Sequence, residues 1–183
     1  MKEVHAVKDL DTVRLISHLL EKRFSNQMAL VWNIGLNLAL RISDLLAIKF
    51  DDIQSDRLIL TEQKTGKVAS IKLNVKSLDL ILQIRQEFPG HIYLFQSYRS
   101  QQTINTLPRP ISRRAVSQAF SEVGKEVGIN LGTHSMRKTR GYHLYQNTKD
   151  IARVMKMLRH SSEAVTLRYI GITQEEVDRD FVE

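Results

Sequence analysis

The residues with the most reactive chemistry lie in the last third of the chain, in the run THSMRKTRGYHLYQNTKDIARVMKMLRHSSEAVTLRYIG from Thr133 to Gly171. His134 and Arg137 stand three residues apart, His160 follows, and Tyr169 closes the set. An imidazole and a guanidinium at that spacing share one face of a helix. A tyrosine hydroxyl can serve as a nucleophile, but with a pKa near 10 it needs a base and a positive field at neutral pH.

Two earlier positions supply what such a set lacks. Arg41 sits in Ala-Leu-Arg-Ile-Ser-Asp-Leu-Leu at 39–46, and Lys64 in Gln-Lys-Thr-Gly at 63–66. Two guanidiniums can hold the non-bridging oxygens of a phosphodiester and stabilise a pentacoordinate transition state. A lysine can protonate a departing sugar oxygen, and His134 is the expected proton acceptor for Tyr169. Locally, Arg41 and Asp44 also admit a plainer reading, as a buried ion pair that satisfies itself. No set of carboxylates accompanies these groups in the way divalent-metal phosphoryl transfer requires. The two histidines lack metal-ligand spacing, and Lys-Thr-Gly-Lys at 64–67 lacks the glycine-rich lead of a P-loop. Neither a metal nor another cofactor is expected. His143 reads as a surface or partly buried histidine, and Tyr142 and Tyr145 as core or rim residues.

The positioning elements follow from periodicity. Residues 9–23 read as an amphipathic helix capped by Asp9 or Asp11, with Val13, Ile16, Leu19 and Leu20 inward. Residues 26–39 are apolar nearly all round and predict a buried helix. Residues 57–61 and 68–73 read as a hairpin turning at Gly66, with a short strand near Ile53 before it. Its tip carries Lys64 and Lys67, a placement that also suits simple protection of an edge. A helix is expected from Ser77, as its cap, to Phe88, with Leu78, Leu82 and Ile81 inward. Residues 91–111 read as an irregular surface loop, which would face DNA in a DNA-binding protein. The next helix opens at Ser112 and buries Val116, Phe120 and Val123. Arg113 and Arg114 in its first turn oppose the helix dipole and suit phosphate contact, as does Arg109; a solvated basic turn would look the same. Helices are expected from His134 to about Tyr145, after the Asp150 cap, and from Glu163 to Tyr169. Residues 174–183 form an acidic tail with Val177 and Phe181 as apolar anchors. The fold class is α+β, mainly helical, with a small antiparallel sheet, in one domain over residues 1–183.

The chain has 183 residues, 42% of them hydrophobic, and a formal charge of +7. It is long enough to bury a sizeable core, and its basic excess suits a polyanionic partner, most simply nucleic acid. It contains no cysteine, which excludes disulfides, thiolate zinc sites and thiol nucleophiles. No apolar run approaches the roughly 20 residues that span a bilayer, and the first residues lack a signal-peptide core. A cytoplasmic location is expected.

Taken together, the segments at 39–46, 63–66, 133–137, 158–162 and 166–169 resemble, in order and approximate spacing, the catalytic domain of tyrosine recombinases, the phage integrase family. The resemblance covers almost the whole chain. It implies site-specific DNA recombination, with Arg41 and Arg137 clamping the scissile phosphate and Tyr169 forming a 3′-phosphotyrosine while a 5′-hydroxyl leaves. It makes Lys64 the general acid, His134 the acid/base and His160 a hydrogen-bond donor to phosphate, with Asp44 in a supporting role. It further implies double-stranded DNA as partner, and four protomers acting on two duplexes with the tail packed on a neighbour; without DNA, a monomer or weak association is expected. Two departures stand out. Arg159 occupies a position usually held by glycine, implying a different turn before His160 or an added phosphate contact. The usual N-terminal core-binding domain is absent from the expected organisation. A non-catalytic DNA-binding regulator of the same fold and a type IB topoisomerase-like enzyme are the alternatives.

Overall fold

The computed structural model describes residues 3–98 and 107–173. The tail at 174–183, with Val177 and Phe181, lies outside the described residues. Helix α1 (Leu10–Arg23) starts where the Asp9 carboxylate accepts from the Thr12 amide, and it buries Ile16 and Leu20. Ser25 caps α2 (Asn26–Leu38), which buries Ala29, Val31, Trp32, Ile34 and Leu38. This matches its nearly uniform apolar sequence: α2 packs against α1 and α4 and against α6 of the C-terminal half. The core continues through Leu45, Ile48, Leu58, Val116, Phe120 and Met136, and Trp32 meets Phe120 edge-on.

The short helix α3 (Ile42–Leu46) leads to a three-stranded antiparallel sheet of β1 (Ile53–Gln54), β2 (Arg57–Thr61) and β3 (Val68–Lys72). Register pairs Leu58 with Ile71 and Leu60 with Ala69. Alternation along β2 turns Leu58 inward, and the same phase carries Glu62, just past the strand, into the interior.

Helix α4 (Val75–Glu87) begins earlier than the Ser77 cap predicts. Asn74 is the cap: its side-chain oxygen accepts from the Ser77 amide, while its Nδ2 donates to Asn37 of α2. Ile81 and Ile84 are the buried positions, and Leu82, expected inward, is 56% exposed. The expectation of a surface loop over 91–111 is corrected only at its start; Ile92 and Leu107 are exposed, and residues 99–106 lie outside the described residues. Leu94, Phe95 and Gln96 are buried, tied by bridges pairing Lys49 with Tyr93 and Gln96 with Pro110.

Helix α5 (Arg113–Glu126) starts at the Ser112 cap and buries Val116, Phe120 and Val123, as expected. Helices α6 (Ser135–Thr148), α7 (Ile151–Leu158) and α8 (Glu163–Ile170) then fold against one another. They enclose a second cluster of Ala39, Val154, Leu158 and Ile170, with Tyr142, Tyr145 and Tyr169 at its edge. The nucleophile candidate is therefore carried by its own small core beside the main one.

Candidate active site

Each candidate side chain is placed at the end of an element, where backbone geometry fixes its direction. His134 is the residue before the first turn of α6, and Arg137 lies in that turn. Arg41 precedes α3, His160 follows the C-cap of α7, and Tyr169 lies in the last turn of α8.

Arg137 is 3% exposed and anchored at both ends of its guanidinium. Its Nη1 donates to the Ala39 carbonyl at 2.7 Å and its Nη2 to the Leu158 carbonyl. Ala39 holds a left-handed conformation at φ 51°, which aims that carbonyl across α2. Each nitrogen keeps a second N–H, so the anchored fork can still address an anion. The Arg137 charge is also near enough to the Tyr169 hydroxyl to act on its ionisation.

The Tyr169 hydroxyl lies 3.2 Å from His134 Nδ1. Burial raises the phenol pKa, and the charges of Arg137 and Arg41 oppose that rise without cancelling it. The resting Tyr169 side chain is thus a neutral phenol. Desolvation lowers the His134 pKa, and the cations Arg137, Arg113, Lys138 and Arg41 lower it further. A neutral imidazole with its proton on Nε2 then presents Nδ1 to accept the phenol proton.

His160 packs edge-on against the Tyr169 ring, with centroids 4.9 Å apart. Its Nδ1 is 3.2 Å from Thr166 Oγ1. The Thr166 hydroxyl donates to the Ser162 carbonyl at 2.6 Å, so toward His160 it acts as acceptor and Nδ1 carries the proton. Burial, then Arg137 and Arg41, lower the His160 pKa. Neutral His160 therefore has a bare Nε2; it donates from that atom when an arriving anion makes the ring imidazolium.

Arg41 does not pair with Asp44. Its ion-pair partner is Glu62 at 3.3 Å, and Asp44 instead accepts from the Gln63 amide at 2.9 Å. That bond fixes the hairpin beside Lys64. Lys64 itself is exposed on the turn between β2 and β3, and none of the described hydrogen bonds or ion pairs ties it to the other five. Arg159 corrects a second expectation. It takes φ 55°, the left-handed cap a glycine would adopt, so the turn before His160 is unchanged. Its side chain points to Glu62 at 2.6 Å.

Three participants escaped the sequence reading: Glu62, Thr166 and Lys138, whose ammonium lies 5.2 Å from the Tyr169 ring centroid. Glu62 left a signal in the inward phase of β2, because a carboxylate on an apolar face requires partners. Arg113 and Arg114 are exposed and line a shallow concavity with Ser117, Gln118 and Ser121. Arg113 is close enough to act on His134, while Arg109 is exposed near the Gln96–Pro110 bridge.

A cluster of two guanidiniums, two imidazoles and one phenol can bind a tetrahedral anion and attack it with oxygen. Known proteins carry the same framework. The chain is 35% identical over 178 residues to "Probable integrase/recombinase YoeC" of Bacillus subtilis, covering 96% of this chain and 93% of that protein. It is 27% identical over 137 residues to tyrosine recombinase XerA of Pyrococcus furiosus, covering 73% of this chain but 46% of that protein. Among solved structures, a lambda integrase dimer bound to a core site superposes with TM-score 0.70 at 19% identity, covering 96% of this chain and 63% of the other. A lambda integrase tetramer bound to a Holliday junction gives TM-score 0.69 at 19% identity, covering 92% of this chain and 49% of the other. The model of the phage integrase family matches residues 8–176, and the chain belongs to that family.

Proposed function

We propose that the chain is a site-specific DNA recombinase that cleaves and rejoins duplex DNA through Tyr169. The observation that carries this reading is the contact of the Tyr169 hydroxyl with His134 Nδ1 at 3.2 Å, beside the Arg137 guanidinium. Arg137 and Arg41 clamp the scissile phosphate. Tyr169 transfers its proton to His134 as its oxygen bonds to phosphorus, and the bond to the 5′-oxygen breaks. Lys64, brought in by the hairpin, protonates that oxygen. The resulting 3′-phosphotyrosine keeps the energy of the phosphodiester, so the reverse attack by a 5′-hydroxyl rejoins the strand without ATP. The guanidiniums, like the donors of an oxyanion hole, are worth about 10²–10³-fold each in rate. His160 adds a donor to the phosphate, and Asp44 steadies the hairpin. Arg109, Arg113 and Arg114 contact the flanking backbone.

Strand exchange joins two duplexes, and a tetramer is the proposed working assembly; the lambda integrase tetramer on a Holliday junction supports it by fold. Residues 1–183 form one catalytic domain in this reading, and the cytoplasm is the place of action. No helix among the described residues is long and apolar enough to cross a membrane.

The test offers the protein a pool of nicked duplexes of randomised sequence and recovers complexes that survive detergent. An adduct at Tyr169, formed in chelator without nucleotide, is expected, and Tyr169→Phe forms none. An adduct pool no larger for the wild type than for Tyr169→Phe overturns the reading. Equal cleavage of all sequences, with relaxation of any plasmid, would replace recombination by topoisomerase-like relaxation.

A further inference from the structure

Glu62 is 1% exposed, yet it carries a charge. Burial alone would push its carboxyl up; the hydrogen bond from Thr65, then the guanidiniums of Arg159 and Arg41, outweigh this and hold it below the usual value. It is thus an ionised group inside the protein, and such a group persists where its neighbours require it. Its contacts reach three parts of the site. Oε2 accepts from the Thr65 hydroxyl at 2.7 Å. Oε1 lies 2.6 Å from Arg159 and 3.3 Å from Arg41. The Glu62 amide and carbonyl bond to Lys67 and Gly66 and close the turn that carries Lys64.

The two guanidiniums do not share the carboxylate equally. Arg159 makes the short contact. Arg41 Nη1 is buried and makes an ion pair with Glu62 without a well-formed hydrogen bond, while the side chain keeps 20% of its surface exposed, so the rest of the guanidinium can still address an anion. One carboxylate against one arginine would neutralise the clamp; against two, a net positive charge remains. Arg159 meanwhile accepts the left-handed backbone, which disfavours any side chain with a Cβ, and its side chain is directed at Glu62. Ala39 and Lys149 take the same left-handed cap, so what sets Arg159 apart is its ion pair with a buried carboxylate.

We infer that Glu62 and Arg159 are positioning residues of the strand-cleavage site: Glu62 fixes Arg41 and the Lys64 turn together, and Arg159 occupies the carboxylate so that Arg41 stays free to bind phosphate. This rests on the proposed DNA cleavage at Tyr169. It couples the hairpin that delivers the acid to the arginine that grips the phosphate, so the two arrive in register.

The experiment measures single-turnover adduct formation and duplex affinity separately, on a duplex recovered from the randomised pool. Glu62→Gln should slow adduct formation about 10²-fold, the scale of a displaced transition-state donor, with duplex affinity changed less than about threefold, since a positioning residue acts on rate rather than ground-state binding. Arg159→Gly relieves the backbone but removes one partner of a buried carboxylate; assayed well below its melting temperature it should cleave about tenfold more slowly, a modest loss of transition-state binding. Arg159→Lys should recover part of that rate. Cleavage by Glu62→Gln or Arg159→Gly within about twofold of the wild type, too small a change to count as lost transition-state stabilisation, overturns the inference. So does a slow Arg159→Gly that is already partly unfolded at the assay temperature, since that is a structural loss. If the wild type and Tyr169→Phe both form no adduct, the cleavage reading itself fails and this inference falls with it.

Discussion

At the scale of single residues the site depends on which nitrogen holds which proton. His134 must be neutral to accept from Tyr169, and its pKa, like that of His160, is held below the ordinary 6.5 by desolvation and nearby cations. A histidine depressed in the fold is protonated less readily than in the unfolded chain. Its contribution to stability is whole above pH about 6.5 and is lost as pH falls from there through the folded value. Melting temperature should accordingly drop between about pH 7 and pH 5.5, the interval in which an unfolded histidine charges, and His134→Gln with His160→Gln should flatten that drop. An unchanged slope in the double variant would contradict the assignment. Thr166 sets the other half of the proton arrangement. Because it accepts from His160 Nδ1, donation to phosphate requires imidazolium, and cleavage should fall as rising pH removes the second proton of His160 in the DNA complex. Thr166→Val lets neutral His160 carry its proton on Nε2, so that limb should move up in pH; an unmoved limb would place the titration elsewhere. Arg41, His134, Arg137, His160 and Tyr169, which the fold gathers, were legible as candidates because their types announce their chemistry. Glu62 and Thr166 were not, since a lone glutamate or threonine has no such signature. Arg41 was offered the carboxylate nearest in sequence, Asp44, whereas the fold brings it Glu62 from 21 positions away across the hairpin.

At the scale of elements, the position of Tyr169 is decided by how closely α8 approaches α6. Gly141 makes that approach possible: a Cβ there would meet Ile170 Cγ2 at 2.7 Å and Leu158 Cδ1 at 3.1 Å. Both neighbours are fully buried and Ile170 is β-branched, so neither yields by a simple rotation. Gly141→Ala should destabilise the protein by about 1–3 kcal/mol, the usual cost of overpacking, despite the better helix propensity of alanine. It should also slow adduct formation, because α8 moves Tyr169 off His134. Denaturant unfolding with single-turnover cleavage checks both, and a stabilised, fully active variant would refute the packing argument. The helices themselves were readable from period and caps: Asp9, Ser112 and Asp150 cap as their sequences suggest. The start of α4 was not, because Ser77 and Asn74 are both good caps. The choice falls to Asn74, whose second bond reaches Asn37, a tertiary contact that no local pattern contains. The segment at 91–98 misled for the same reason: it lacks helical or strand periodicity, but backbone bonds to Ile48, Phe50 and Ile111 hold it inside.

At the scale of the whole molecule, the charge of +7 suggested a polyanion but not where it would lie. The fold adds direction. Arg113 and Arg114 open α5 on an exposed face, and Arg113 is near enough to lower the pKa of His134, so the basic end of α5 and the reactive cluster belong to one surface. A duplex whose scissile phosphate reaches Arg137 would pass over Arg113 and Arg114 on its way. Each phosphate neutralised releases counterions, and log affinity falls linearly with log salt, by about 0.9 for each contact on B-DNA. Arg113→Ala and Arg114→Ala should therefore each weaken binding to any duplex by a similar factor and reduce that slope by about 1. Leu107, exposed but uncharged, offers a control position: Leu107→Ala should leave the slope unchanged. Filter binding or fluorescence anisotropy across a fourfold range of salt measures all four proteins on one unrelated duplex. If Arg113→Ala and Arg114→Ala keep the wild-type slope, the α5 face lies off the DNA path. Slopes reduced by one step each, with strand cleavage at saturating protein retained, place it along the path and outside the chemistry.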